Sequence, residues 1–135
     1  MRRLFLSIKY YEDGRNRAWV ENLRHALEMR EIQLICVAAD LENWGAVHYS
    51  AKELMHKTFE CIRGSDAVLV ELSVKGVGVG IEAGYAVACG LPVWVVAQQG
   101  CEISETLGGI ADWVYWYETT QDLTEKVVLA MERVP

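Results

Sequence analysis

The sequence predicts a three-layer α/β/α domain around a five-stranded parallel sheet. Three observations point there. Five short runs are almost continuously apolar, as in strands buried on both faces. They alternate with segments of helical spacing, the mark of strand–helix–strand crossovers. The chain has 135 residues, 52% of them hydrophobic and spread along its length, which suits one domain with its own core and argues against disorder. The order reads β-α-β-α-β-α-β-loop-β-α: a doubly wound, flavodoxin-like or Rossmann-like domain over residues 1–135, of expected strand order 2-1-3-4-5.

Arg3–Ile8 is the first strand. Arg15–Arg30 is the first helix, with Trp19, Val20, Leu23 and Leu27 on one face. Ile32–Ala38 is the second strand and Asp40–Tyr49 a loop with two aromatics, Asn43 and Gly45. Ser50–Arg63 reads as a helix, with Ser50 and Glu53 spaced as a capping box. Ala67–Leu72 is the third strand. Ile81–Cys89 is a short helix that Gly90 ends and Pro92 prevents from continuing. Val93–Ala97 is the fourth strand, Gln98–Gly109 a loop with room for one helical turn, and Asp112–Tyr117 the fifth strand. Thr119–Arg133 closes the chain as a helix capped by Thr119 or Thr120.

Composition narrows the function classes. Net charge is −6 and no dense basic cluster occurs, which speaks against a nucleic-acid polymer as partner. No apolar run reaches membrane-spanning length, so no membrane role is expected. The charges at Lys9, Glu12, Asp13 and Arg15 interrupt any secretory leader, and a cytoplasmic protein is the expectation. Cys36, Cys61, Cys89 and Cys101 are scattered, and with His25, His48 and His56 they form no metal-ligand spacing. Neither a metal nor an organic cofactor is expected.

The segment Gly76-Val77-Gly78-Val79-Gly80-Ile81-Glu82 carries the strongest functional signal. Glycines at alternate positions let a ligand approach the main chain. Open amides at a helix start favour negative charge. Glu82, read as sitting near that start, is expected to stay ionised at neutral pH and to serve as nucleophile or charge stabiliser. In a doubly wound sheet the ligand site lies beyond the carboxyl ends of the strands where their order reverses, here between strands 1 and 3. That brings Ser7, Ile8 and Lys9 beside the glycine segment. The pattern matches neither the usual dinucleotide fingerprint nor a Walker loop. Glycines serving only turning and packing, and a carboxylate serving only as surface charge, are the plain alternatives.

Ser65-Asp66-Ala67-Val68-Leu69-Val70-Glu71, then Gly78-Val79-Gly80-Ile81-Glu82-Ala83-Gly84-Tyr85-Ala86, then Gly90-Leu91-Pro92-Val93, closely resemble the nucleoside 2-deoxyribosyltransferase family. The opening Leu4-Phe5-Leu6-Ser7-Ile8-Lys9 is similar to the deoxynucleoside 5′-monophosphate N-glycosidase branch. The resemblance implies cleavage of the bond between a base and C1′ of deoxyribose, with Glu82 attacking C1′. It implies that Ser7, Ile8 and Lys9 hold a 5′-phosphate with help from Gly76, Gly78 and Gly80. It also implies a nucleoside or nucleotide as the small-molecule partner, and a homodimer or higher homo-oligomer in which Ser104 is a phosphate candidate across subunits.

Departures from the pattern are specific. Thr58 stands where the family has a second acid, an aspartate eight residues before Asp66. His56 and Glu60 are neighbours in sequence but point away from Thr58 on a helix. Lys9 replaces an arginine, which keeps the charge and loses the fork. Gly76 replaces a serine, and Tyr10-Tyr11 replace a Gly-Gly turn. Tyr10, Trp44 and His48 are candidates for a base pocket, while Trp44, His48 and Tyr49 are equally suited to a lid or a subunit contact. Two further readings remain open: a non-catalytic nucleotide-binding or sensing module, and a hydrolase of another glycosidic bond, such as that of a nicotinamide dinucleotide.

Overall fold

The computed structural model describes residues 1–135. Five strands, β1 (Arg2–Ile8), β2 (Ile32–Cys36), β3 (Ala67–Glu71), β4 (Val93–Gln98) and β5 (Trp113–Tyr117), form one sheet of order β2-β1-β3-β4-β5. Every pairing is parallel. The order reverses between β1 and β3, as expected for a doubly wound sheet.

Side chains alternate across the sheet and divide the core in two. Leu4, Leu6, Leu34, Trp94 and Val96 face α1 (Arg17–Glu28) and α5 (Thr120–Glu132), meeting Val20, Leu23, Leu27, Leu123 and Val127. Phe5, Val68, Val70, Val93 and Val95 face α2 (Ala51–Arg63) and α3 (Val77–Ala88), meeting Ile62, Val79, Ala83 and Ala86. Each fully buried leucine contributes about 1.5–3 kcal/mol by leaving water. Ser7 follows Phe5 by two residues, so its side chain points to the α2/α3 face.

Caps explain where helices begin. Ser50 accepts the Glu53 amide at 3.1 Å, the first half of the expected capping box, and its hydroxyl donates to the Glu53 carboxylate. Thr119 and Asp122 form a full reciprocal box at the start of α5. Asp66 accepts the Arg3 amide at 2.8 Å and so ties β3 to the start of β1.

Three boundaries differ from expectation. β2 stops at Cys36, because Val37–Leu41 winds into a π-helical turn and Asp40 folds back to accept the Cys36 amide at 2.7 Å. The loop that follows holds a 3-10 turn at Asn43–Gly45, whereas the single helical turn expected between β4 and β5 forms as α4 (Glu105–Gly108). The third helix starts at Val77 rather than Ile81, so Gly78 and Gly80 lie inside it and Glu82 sits in its second turn. Burial of Val79, Ala83 and Ala86 against the sheet outweighs about 1 kcal/mol of lost propensity per glycine.

Candidate active site

A cavity of about 370 Å³ opens at the carboxyl ends of β1 and β2. Its walls come from Ile8, Lys9, Tyr10 and Tyr11 after β1, from Val37, Ala38, Glu42 and Trp44 after β2, from Leu54, Met55 and Thr58 on α2, and from Gly76–Val79 and Glu82 on α3. Volume and largely apolar walls suit a small organic ligand.

Glu82 enters this cavity from the second turn of α3. The Ser7 hydroxyl donates to its Oε1 at 2.6 Å. Ser7 itself is fully buried. Burial pushes the Glu82 carboxyl up to about 7, against the Ser7 hydrogen bond, which favours the ionised form. The expectation of a fully ionised group at neutral pH is therefore corrected. Glu82 lies a full turn inside the helix, beyond the amides that would have lowered its pKa, and no cation is bonded to it. A carboxyl raised this far in a cleft marks a candidate functional group.

The start of α3 supplies donors. The amides of Gly76, Val77, Gly78 and Val79 have no protein acceptor, whereas the Gly80 amide is bonded to the Gly76 carbonyl at 3.4 Å. Lys9 makes no ion pair and lies against this helix end. A Cβ built on Gly76 would come 3.1 Å from Lys9 Cδ and 3.8 Å from its Nζ. Gly76 thus vacates the space that the lysine stem fills. A Cβ at Gly78, Gly80 or Gly84 would meet nothing within 4 Å, so packing does not require those three glycines.

The expected residues separate into two groups. Ile8, Lys9, Tyr10, Trp44, Gly76, Gly78 and Glu82 share the cavity. Ser7 sits behind its wall with its hydroxyl turned to Glu82, Gly80 lies one turn along α3, and His48 is exposed outside. Thr58 is buried in the cavity wall, where its hydroxyl donates to the Leu54 carbonyl at 2.7 Å. His56 and Glu60 pair with each other at 2.9 Å on the exposed face of α2. Cys36 also borders the cavity, and burial pushes its thiol up to about 11, so it carries no thiolate at neutral pH.

Glu42 was not singled out from the sequence. It ends the π-helical turn, half-buried, and its carboxylate has neither a hydrogen bond nor an ion pair. Burial holds its carboxyl above the usual range, while nearby His48 pulls it the other way. Asn43, Trp44 and Gly45 follow with φ of 44°, 55° and 97°, three consecutive left-handed residues. Non-glycine residues held there cost about 1–3 kcal/mol each, and such strain gathers at functional sites. The turn aims Trp44 at the cavity, with the Arg17 guanidinium 5.4 Å from its ring centroid.

A second buried polar cluster lies beside the cavity at the end of β3. Glu71 accepts the Ser73 amide at 2.5 Å, the Ser73 hydroxyl at 2.9 Å and the Tyr117 hydroxyl at 2.6 Å. Its oxygens are satisfied from within, so it fixes the segment leading to Gly76.

No protein-family model and no curated protein matches the chain. Solved structures do. The CMP N-glycosidase of Clostridium botulinum is 18% identical, with 95% of this chain and 99% of that one covered at a TM-score of 0.69. The 2-deoxyribosyltransferase of Bacillus psychrosaccharolyticus is 14% identical, with 90% of each chain covered at 0.71. A conserved protein of Enterococcus faecalis is 18% identical, with 96% and 99% covered at 0.74. At such identities the likeness establishes the fold: the chain is a flavodoxin-like α/β domain of the form seen in N-glycosidase and 2-deoxyribosyltransferase structures.

Proposed function

We propose that this protein cleaves the N-glycosidic bond of a nucleoside or nucleoside 5′-monophosphate through Glu82, by hydrolysis or by transfer to a second base. The observation that carries the reading is the Glu82 carboxyl, held by buried Ser7 and presented to a ligand-sized cavity at the strand-order reversal. Such a carboxylate, once ionised, can attack C1′ and stabilise the oxocarbenium-like centre. Lys9 and the free amides of Gly76–Val79 offer positive charge and donors to a 5′-phosphate. The phosphate would also anchor the sugar against Glu82. Trp44 and Tyr10 offer aromatic faces to the base. The shared fold of the N-glycosidase and deoxyribosyltransferase structures agrees with this chemistry and does not by itself supply it.

A second reading, a nucleotide-binding or sensing module without turnover, is favoured by one observation. Thr58 occupies the wall where the resembling family has an acid, and its hydroxyl is tied to the Leu54 carbonyl.

Chromatographic detection of free base separates the two. The protein is incubated with ribo- and deoxyribonucleosides and their 5′-monophosphates, beside a Glu82→Ala control. Base released by the wild type and not by the variant supports the enzyme. Binding of a nucleotide without release of base supports the module.

A further inference from the structure

The reaction proposed above needs a proton at the departing base, and Thr58 has none to give at neutral pH. Among the cavity-lining residues only Glu42 and Glu82 carry carboxyl groups. They come from separate elements, Glu82 from α3 and Glu42 from the turn after β2. Glu82 is engaged with Ser7, whereas both Glu42 oxygens are free of protein partners. The Glu42 backbone is anchored: its amide donates to the Val37 carbonyl at 3.1 Å, and its carbonyl accepts the amides of Gly45 and Val47, each at 3.0 Å. A carboxyl on a pinned backbone, with nothing inside the protein to bond, beside an aromatic suited to a base, is placed for a ligand's leaving group.

We propose that Glu42 is the general acid and base of this site, in place of the absent acid at Thr58. This rests on the glycosidic reading of Glu82. In the first step Glu82 forms a bond to C1′ while the C1′–N bond breaks. Its electron pair leaves with the base, which takes the proton of the Glu42 carboxyl. In the second step water adds to C1′, its proton goes to the Glu42 carboxylate, and the Glu82–C1′ bond breaks. The sum is nucleotide plus water giving free base plus sugar phosphate, with both carboxyl groups restored.

The test compares the wild type, Glu42→Gln, Glu42→Asp and Glu82→Gln on two substrates. One is the nucleotide that releases base. The other is the 4-nitrophenyl glycoside of the same 5-phosphorylated sugar, whose phenolate departs without a proton. The proposal expects Glu42→Gln to lose about 10²–10⁴-fold in kcat on the nucleotide with little change in KM. Glu42→Asp should retain more of that kcat, and Glu42→Gln should keep the first-turnover burst of nitrophenolate while slowing the later turnovers, whose water step needs Glu42 as base. Glu82→Gln should lose both reactions. Three results overturn the proposal while leaving the glycosidic reading intact: Glu42→Gln within threefold of wild type on the nucleotide, a loss confined to KM, or equal losses of the first-turnover rate of leaving-group release on both substrates. Wild type that cleaves neither substrate removes the glycosidic reading and the proposal with it.

Discussion

Replacing Glu82 with glutamine removes a charge that the cavity wall shields from much of the surrounding water. The carboxyl is raised from 4.5 to about 7 in the folded protein, with burial the cause. A folded-state pKa above the unfolded one means that the native protein binds more protons between those values, so stability falls as pH rises through them. At 1.36 kcal/mol per unit, the penalty approaches about 3 kcal/mol above pH 7 and vanishes below about pH 4. Glutamine keeps an acceptor for the Ser7 hydroxyl and cannot ionise. Glu82→Gln is therefore expected to be more stable than wild type by about 2–3 kcal/mol at pH 8 and nearly equal at pH 4, since charge burial is the term removed. With an m-value of roughly 1–3 kcal/mol per molar urea, the midpoint should rise by about 1–3 M at pH 8. Urea unfolding followed by circular dichroism at both pH values reads this difference, and the comparison cancels every other titrating group. A gain independent of pH, or a variant less stable than wild type at pH 8, would refute the account of Glu82 as a half-buried carboxyl that ionises at a cost.

Three further outcomes follow from the same geometry. Ser7→Ala removes the one protein donor to Glu82, so its carboxyl should titrate about one unit higher, the equivalent of a charged hydrogen bond of about 1.5 kcal/mol, read by carbon NMR of labelled glutamate. Lys9→Ala should weaken a 5′-monophosphate about tenfold and leave the matching nucleoside unchanged, measured by calorimetry; equal losses for both ligands would contradict a phosphate role. Tyr117→Phe leaves Glu71 without one of its buried donors and should destabilise the domain by about 1–3 kcal/mol in urea, while a neutral result would mean that water replaces the hydroxyl.

The sheet was legible because β3 and β4 are nearly unbroken apolar runs, a pattern that only two-sided burial explains. The helices α2 and α5 announced their starts through Ser50, which forms half of the box read there, and through Thr119, one of the two caps read for α5, which forms a full box. The start of α3 was not legible. Gly76, Gly78 and Gly80 carry the local signature of a loop, and only contacts with distant strands hold the segment helical. With the helix beginning at Val77, Glu82 falls in its second turn, away from the open amides that would have kept it fully ionised. Glu42 was hidden for a different reason. It lies in an irregular turn, where no hydrophobic period assigns a direction to a side chain. Two cues were nonetheless present: the loop follows a strand on the carboxyl edge of the sheet, and Asn43-Trp44-Gly45 is a sequence that turns sharply. Ser7 was placed correctly at the end of β1, but pairing with a residue 75 positions away is a tertiary fact.

A Glu82 nucleophile must pass through a covalent glycosyl-enzyme, and trapping that species is the decisive measurement. Wild type, Glu82→Gln and Glu42→Gln are mixed with 2-fluoro-2-deoxy analogues of the nucleotide panel, acid-quenched and digested, and the peptides are weighed by mass spectrometry. A nucleophilic Glu82 carries a sugar-phosphate adduct in wild type, and Glu82→Gln carries none at that position. Base release without any adduct on Glu82, or an adduct on Glu42 instead, would contradict it.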